Sequence, residues 1–176
     1  MISRREWLAT AAVAAAAGVA GYAFNASRVA PSAASEADNA ALLALRLPNL
    51  DDKPQTIGEW RGKVLVVNFW ATWCGPCREE IPLFVKLQQR YAAKGLQFIG
   101  IAIDQADKVR PFAREFQMNF PILIGGSEAL EVGRQIGNKA GVLPFTVVLG
   151  RDGHIVASAI GAAKPDKLEP LLTGLL

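Results

Sequence analysis

The chain has 176 residues, 51% of them hydrophobic, which is enough for one domain with a full core and argues against a solenoid or a multidomain assembly. Its 19 basic and 16 acidic residues leave a net charge of +3, and with Arg4, Arg5, Arg28, Glu6 and Glu36 set aside the remainder is near balance. It has no basic stripe or interleaved aromatic and basic face, so a nucleic-acid partner is excluded. Two cysteines, Cys74 and Cys77, are too few for a multi-bridge disulfide scaffold or for a four-cysteine zinc site within one chain.

Ser3-Arg4-Arg5-Glu6-Trp7-Leu8 leads into an uncharged stretch of Ala and Gly from Leu8 to Phe24, so 1–24 reads as an export signal or membrane anchor. The paired arginines followed by an aromatic residue and Leu resemble a twin-arginine signal, with Trp7 where Phe is usual and Ala9 where Lys is common. A general positive n-region is the alternative, and either route ends outside the cytoplasm. As a helix the apolar stretch would span roughly 25 Å, slightly short of a bilayer core of about 30 Å. Retention and cleavage both remain open. Residues 25–41, rich in Ser, Ala and Pro with small residues at Ala26, Ala34 and Ala37, read as a flexible tether or cleavage region.

From 42 to 176 turn signals and apolar runs alternate as in a single α/β domain. Ala44–Leu47 is predicted as a short strand before the Asp51-Asp52-Lys53-Pro54 turn, and Thr56–Trp60 as a second short element. Lys63–Phe69 contains Val64-Leu65-Val66-Val67, an aliphatic run expected of a strand buried on both faces. A helix follows from about Cys74 to Tyr91, with Leu83, Phe84, Leu87 and Tyr91 at core spacing and Pro82 as a kink. Leu96–Ile103 is a second buried strand, Lys108–Phe116 an amphipathic helix, Phe120–Ile124 a short apolar segment, and Glu128–Gln135 a weak helix. Phe145–Leu149, an Asp152-Gly153 turn and Ile155–Ile160 form a hairpin, and a helix from about Pro165 to Leu175 closes the domain.

Cys74-Gly75-Pro76-Cys77 places two sulfurs three residues apart at a helix start, within disulfide reach. The positive end of the helix and its unpaired amides stabilise a thiolate, so Cys74, the more exposed, is the expected nucleophile and Cys77 the resolving thiol. Pro76 suits the first turn because it has no amide hydrogen to lose, and Gly75 leaves room for a partner chain.

The segment Asn68-Phe69-Trp70-Ala71-Thr72-Trp73-Cys74-Gly75-Pro76-Cys77-Arg78-Glu79-Glu80-Ile81-Pro82 resembles the active-site segment of TlpA/ResA-type thioredoxin-like proteins, which are exported thiol-disulfide oxidoreductases, often membrane-tethered. The resemblance implies a thioredoxin fold, a central mixed β-sheet flanked by helices, with an extra N-terminal hairpin and an insertion before the cis-proline strand. By that resemblance Pro144 is the cis-proline facing the dithiol, and Leu143 offers backbone groups to an extended substrate segment. The position after it is commonly Thr in the family and is Phe145 here.

Glu80 lies three residues beyond Cys77 and shares its helix face, whereas Glu79 points about 100° away. A carboxyl shielded there would have a raised pKa and could exchange a proton with the resolving thiol; the family carries Glu at this position. In thioredoxin the task resembles that of an Asp on the preceding strand, matched here by Asn68, which cannot ionise. Trp73 is read as a lid and recognition residue, Trp70 as core, and the lone His154 as a solvated turn residue.

The implied function is reduction of disulfides in client proteins such as an apocytochrome c or a copper-site protein, with electrons from a membrane thiol donor. No organic cofactor and no metal site are implied. The rivals are a disulfide oxidase or isomerase, a thiol peroxidase, and a Cu(I)-binding module that uses both thiolates without turnover.

Overall fold

The structure, a computed structural model, describes residues 30–31 and 34–176. The leader and residues 25–29, 32 and 33 of the predicted tether lie outside the described residues. Among those described, no helix is long and apolar enough to cross a membrane.

The chain folds into a six-stranded mixed sheet in the order β1-β8-β7-β4-β5-β6 and a separate β2-β3 hairpin. The strands are β1 (Ala30–Pro31), β2 (Arg46–Pro48), β3 (Pro54–Thr56), β4 (Val64–Trp70), β5 (Leu96–Ala102), β6 (Ile122–Ile124), β7 (Phe145–Leu149) and β8 (Ile155–Ile160). The helices are α1 (Glu36–Ala44), α2 (Gly75–Tyr91), α3 (Ala106–Glu115), α4 (Ser127–Gln135) and α5 (Pro165–Leu175). Strands β4, β5 and β6 pair in parallel, while β7 runs antiparallel to both β4 and β8. This is the mixed sheet flanked by helices that the sequence implies, with the early hairpin and the long connection from β6 to β7.

Alternation along β4 assigns the two faces. Val64 and Val66 pack with Phe84, Leu87 and Tyr91 of α2 and with Leu168 and Leu172 of α5. Leu65, Val67 and Phe69 pack on the other face, with Leu42 of α1 and Ala129 of α4. All seven residues of β4 are buried, as a strand covered on both sides requires. Burial of a side chain such as Phe84 or Leu87 is worth about 2 kcal/mol, so the active-site helix is anchored along its length. Helix α2 runs on through Pro82 without a break.

Two expectations are corrected. Residues 36–41 belong to α1 rather than to a tether, so the ordered fold starts before residue 42. Ser35 caps this helix: its Oγ accepts from the Asp38 amide (3.2 Å) and the Asp38 carboxylate accepts from the Ser35 amide (2.9 Å). Asn39 then docks the helix on the sheet by accepting the Ile155 amide at 2.9 Å, and Leu42 is fully buried. Because α1 extends to Ala44, the first predicted strand starts at Arg46, and 54–60 divides into β3 and a 3-10 turn, Ile57–Trp60.

Candidate active site

β4 delivers the chain to the C-terminal edge of the parallel strands, and after four intervening residues α2 starts at Gly75. Cys74 is the residue immediately before the helix, in extended conformation (φ −87°, ψ 109°), and its Sγ accepts the Cys77 amide at 3.3 Å. Cys74 and Cys77 are joined by a disulfide with their Cα atoms 5.3 Å apart. The two sulfurs are not equivalent: Cys74 is 6% exposed and Cys77 is 0% exposed. Cys74 therefore keeps a little exposed surface at the positive end of the helix, while Cys77 has none.

The loop before the dithiol is pinned from both sides. The Asp104 carboxylate, just beyond β5, accepts the Thr72 amide (3.2 Å) and the Thr72 hydroxyl. Burial works to raise the Asp104 pKa, but the bonds from Thr72 and Gln105 and the charge of Lys108 outweigh it and hold the carboxyl below its ordinary value. Arg78, next to Cys77, lies over the rings of Phe112 of α3 (4.9 Å) and of Phe116 just beyond its end (5.1 Å). Behind the loop Trp70 is fully buried, as read from sequence, and only a glycine at 100 leaves room for its indole: a Cβ there would lie 2.8 Å from Nε1.

Glu80 and Glu79 separate as their spacing predicts, with Glu79 exposed and Glu80 2% exposed. Glu80 Oε1 accepts from Asn68 Nδ2 of β4 at 2.8 Å, and Oε2 accepts the amide of Ala163, in the connection from β8 to α5, at 2.7 Å. The same Asn68 nitrogen donates to Thr146 Oγ1 of β7 at 3.0 Å, across the pair in which Asn68 and Thr146 are register partners. Burial pushes the Glu80 pKa up to about 7, against the opposing pull of the bonds from Ala163 and Asn68. A carboxyl of this kind gains and loses its proton near neutral pH.

The Leu143–Pro144 peptide is cis, and Leu143 packs against the cluster that contains Cys74, Cys77 and Ile81. Pro144 is buried, and Phe145 fills the core beside Phe69, with ring centroids 5.7 Å apart. Trp73, 69% exposed, and Gly75 and Pro76, both exposed, surround Cys74 in sequence. His154 stands far from this group in the β7–β8 turn, half-exposed, 2.9 Å from Glu36 and 3.1 Å from Asp152.

The Redoxin family profile matches residues 26–175. The chain belongs to the Redoxin family. This redoxin is 32% identical over 127 residues to the thiol-disulfide oxidoreductase ResA of Bacillus thuringiensis, covering 70% of each chain. It is 33% identical over 130 residues to the thioredoxin-like protein YneN of Bacillus subtilis, covering 72% and 73%. Among solved structures it is similar to a thioredoxin-family thiol:disulfide interchange protein from Chlorobium tepidum, with 25% identity, a TM-score of 0.67 and coverage of 84% and 95%. The redoxin is thus a thioredoxin-fold thiol-disulfide oxidoreductase of ResA/TlpA type. The residues that the sequence reading missed are Thr146, Ala163, Asp104 and Arg78. Asn68 stands out in the sequence only as a position that cannot ionise.

Proposed function

We propose that this redoxin is exported, by the twin-arginine route that Ser3-Arg4-Arg5 suggests, and reduces disulfides in client proteins outside the cytoplasm. A retained leader would hold it at the membrane that supplies its electrons. The observation that carries the reading is an arrangement: Cys74 alone of the pair reaches the surface, and the buried Glu80 lies one helical turn beyond Cys77.

In the reduced protein the Cys74 thiolate attacks one sulfur of the client disulfide, breaking that bond, forming a Cys74–client disulfide and releasing the first client thiolate. Glu80 takes the proton of Cys77, whose thiolate then attacks the Cys74 sulfur. The second client thiolate leaves and is protonated, Cys74 and Cys77 are joined, and two electrons have passed to the client. A membrane thiol donor reverses the sequence to restore the dithiol. Trp73, Gly75, Pro76, Leu143 and cis-Pro144 receive the client segment, and an apocytochrome c or a copper-site protein is a client of suitable chemistry.

The test is the reduction potential of the Cys74/Cys77 couple, equilibrated against a dithiol buffer. A value of roughly −250 mV or lower supports the reductant, and one near −120 to −180 mV turns the reading to an oxidant or isomerase.

A further inference from the structure

The carboxyl at Glu80 can change its proton only if its buried surroundings accept both forms, because a polar group left without a partner there carries a large penalty. Its neighbours meet that condition. Asn68 uses its amide nitrogen twice, towards Glu80 Oε1 at 2.8 Å and towards Thr146 Oγ1 at 3.0 Å. Both partners can either accept or donate: a carboxyl oxygen gains a hydrogen when protonated, and a hydroxyl turns its hydrogen to suit.

We propose that Asn68 and Thr146 form a reversible cradle for the Glu80 proton, in which the Asn68 amide turns over and Thr146 reverses its role as Glu80 changes charge. With Glu80 ionised, Asn68 Nδ2 donates to the carboxylate and to the Thr146 oxygen, as in the structure. With Glu80 protonated, Asn68 Oδ1 takes that place and accepts both the Glu80 O–H and the Thr146 O–H. The Ala163 amide keeps its bond to Oε2 throughout. The proton that arrives is the one that leaves Cys77, so a Cys77 thiol and a Glu80 carboxylate become a thiolate and a carboxylic acid.

An acid at position 68 could not do this, since a second carboxylate at that distance would share one proton with Glu80 rather than donate to it. No charged side chain contributes to the shifted Glu80 pKa. The groups that face Glu80 are Asn68 from β4, Thr146 from β7 by way of Asn68, the Ala163 amide from the β8–α5 connection, and Cys77 on its own helix, while Glu79 and Lys164 are exposed. Asn68 and Thr146 are therefore positioning residues, acting through Glu80.

The inference rests on the reading of Glu80 as the proton acceptor of Cys77, and the experiment separates the two. The Glu80 side-chain carboxyl is titrated by carbon-13 NMR in the full chain, with wild type, Asn68→Leu and Thr146→Val, and the pH profile of disulfide exchange is recorded for each. Asn68→Leu removes both the donor to the carboxylate and the acceptor for the acid; because the hydrogen bond to the charged form is the stronger of the two, the Glu80 midpoint is expected to rise, by about one unit. Thr146→Val, close to isosteric, strands a donor of Asn68 in the ionised form but only an acceptor site in the protonated form, and raises the midpoint by a few tenths of a unit.

Movement of the NMR midpoint and of the exchange profile together supports both the cradle and the reading of Glu80. Movement of the midpoint alone supports the cradle and removes Glu80 from the exchange chemistry. A midpoint unchanged in Thr146→Val and in Asn68→Leu overturns the cradle, and Thr146→Val answers the question even if the larger change at 68 prevents folding.

Discussion

Both ends of α2 are tied to glutamates, and the two behave in opposite ways. At its start Glu80 lies buried under neutral donors, the Asn68 amide group and the Ala163 backbone amide, and its pKa is pushed up to about 7. Near its end Arg90 and Tyr91 hold Glu169 of α5 at the surface, Arg90 Nη1 at 2.6 Å and the Tyr91 hydroxyl at 2.7 Å. The hydrogen bond from Tyr91 and then the one from Arg90 keep that carboxyl below its ordinary value. Hydrogen bonds of similar length thus serve two ends. With a cation and solvent nearby they fix a charge, and with burial and no cation they leave a proton free to come and go near neutral pH.

The largest effect that sharpens this contrast is at the dithiol itself. Cys74→Ser should lower client disulfide reduction by at least about a thousandfold. Cys77→Ser should instead accumulate a mixed disulfide through Cys74, visible on a non-reducing gel. Equal trapping by both variants would break the assignment of roles.

Next comes the coupling of Glu80 to stability. Its folded pKa of about 7 lies above the ordinary 4.5, so the folded state binds the proton more tightly. The stabilisation is complete below about pH 4.5 and is lost as pH rises through 7, by about 3 kcal/mol for the full shift. Urea unfolding of the disulfide form from pH 4 to 8 should show that decline in wild type and not in Glu80→Gln.

Gly100→Ala should cost about 1–3 kcal/mol in the same assay, since the new methyl meets the Trp70 indole behind the active-site loop. The smallest effect is expected at the far end of the helix. Glu169→Gln should leave the pH profile of exchange unchanged, and a shifted profile would show that the two ends are not independent.

What could be read beforehand follows from how far each signal reaches along the chain. The β4 strand is an unbroken apolar run, the dithiol is a four-residue motif, and Glu80 is assigned by its three-residue offset from Cys77, so all three were legible. Helix α1 reads as tether in the sequence because its Ala-rich composition carries little hydrophobic periodicity. Its signal was the Ser35/Asp38 capping pair, and its docking through Asn39 to Ile155 joins residues 116 apart. Thr146 and Ala163 reach the Asn68–Glu80 pair across separations of 78 and 83 residues, which only the sheet order and the β8–α5 connection bring together. The role of Asn68 as a donor was hidden for the same reason, although its inability to ionise was plain.

The most direct test of the central claim is the pH dependence of disulfide exchange in wild type against Glu80→Gln, measured by rapid mixing from pH 5 to 9. The account predicts an inflection near pH 7 in wild type that disappears in Glu80→Gln, with slower exchange around neutrality. An inflection of the same position and size in both proteins would contradict it.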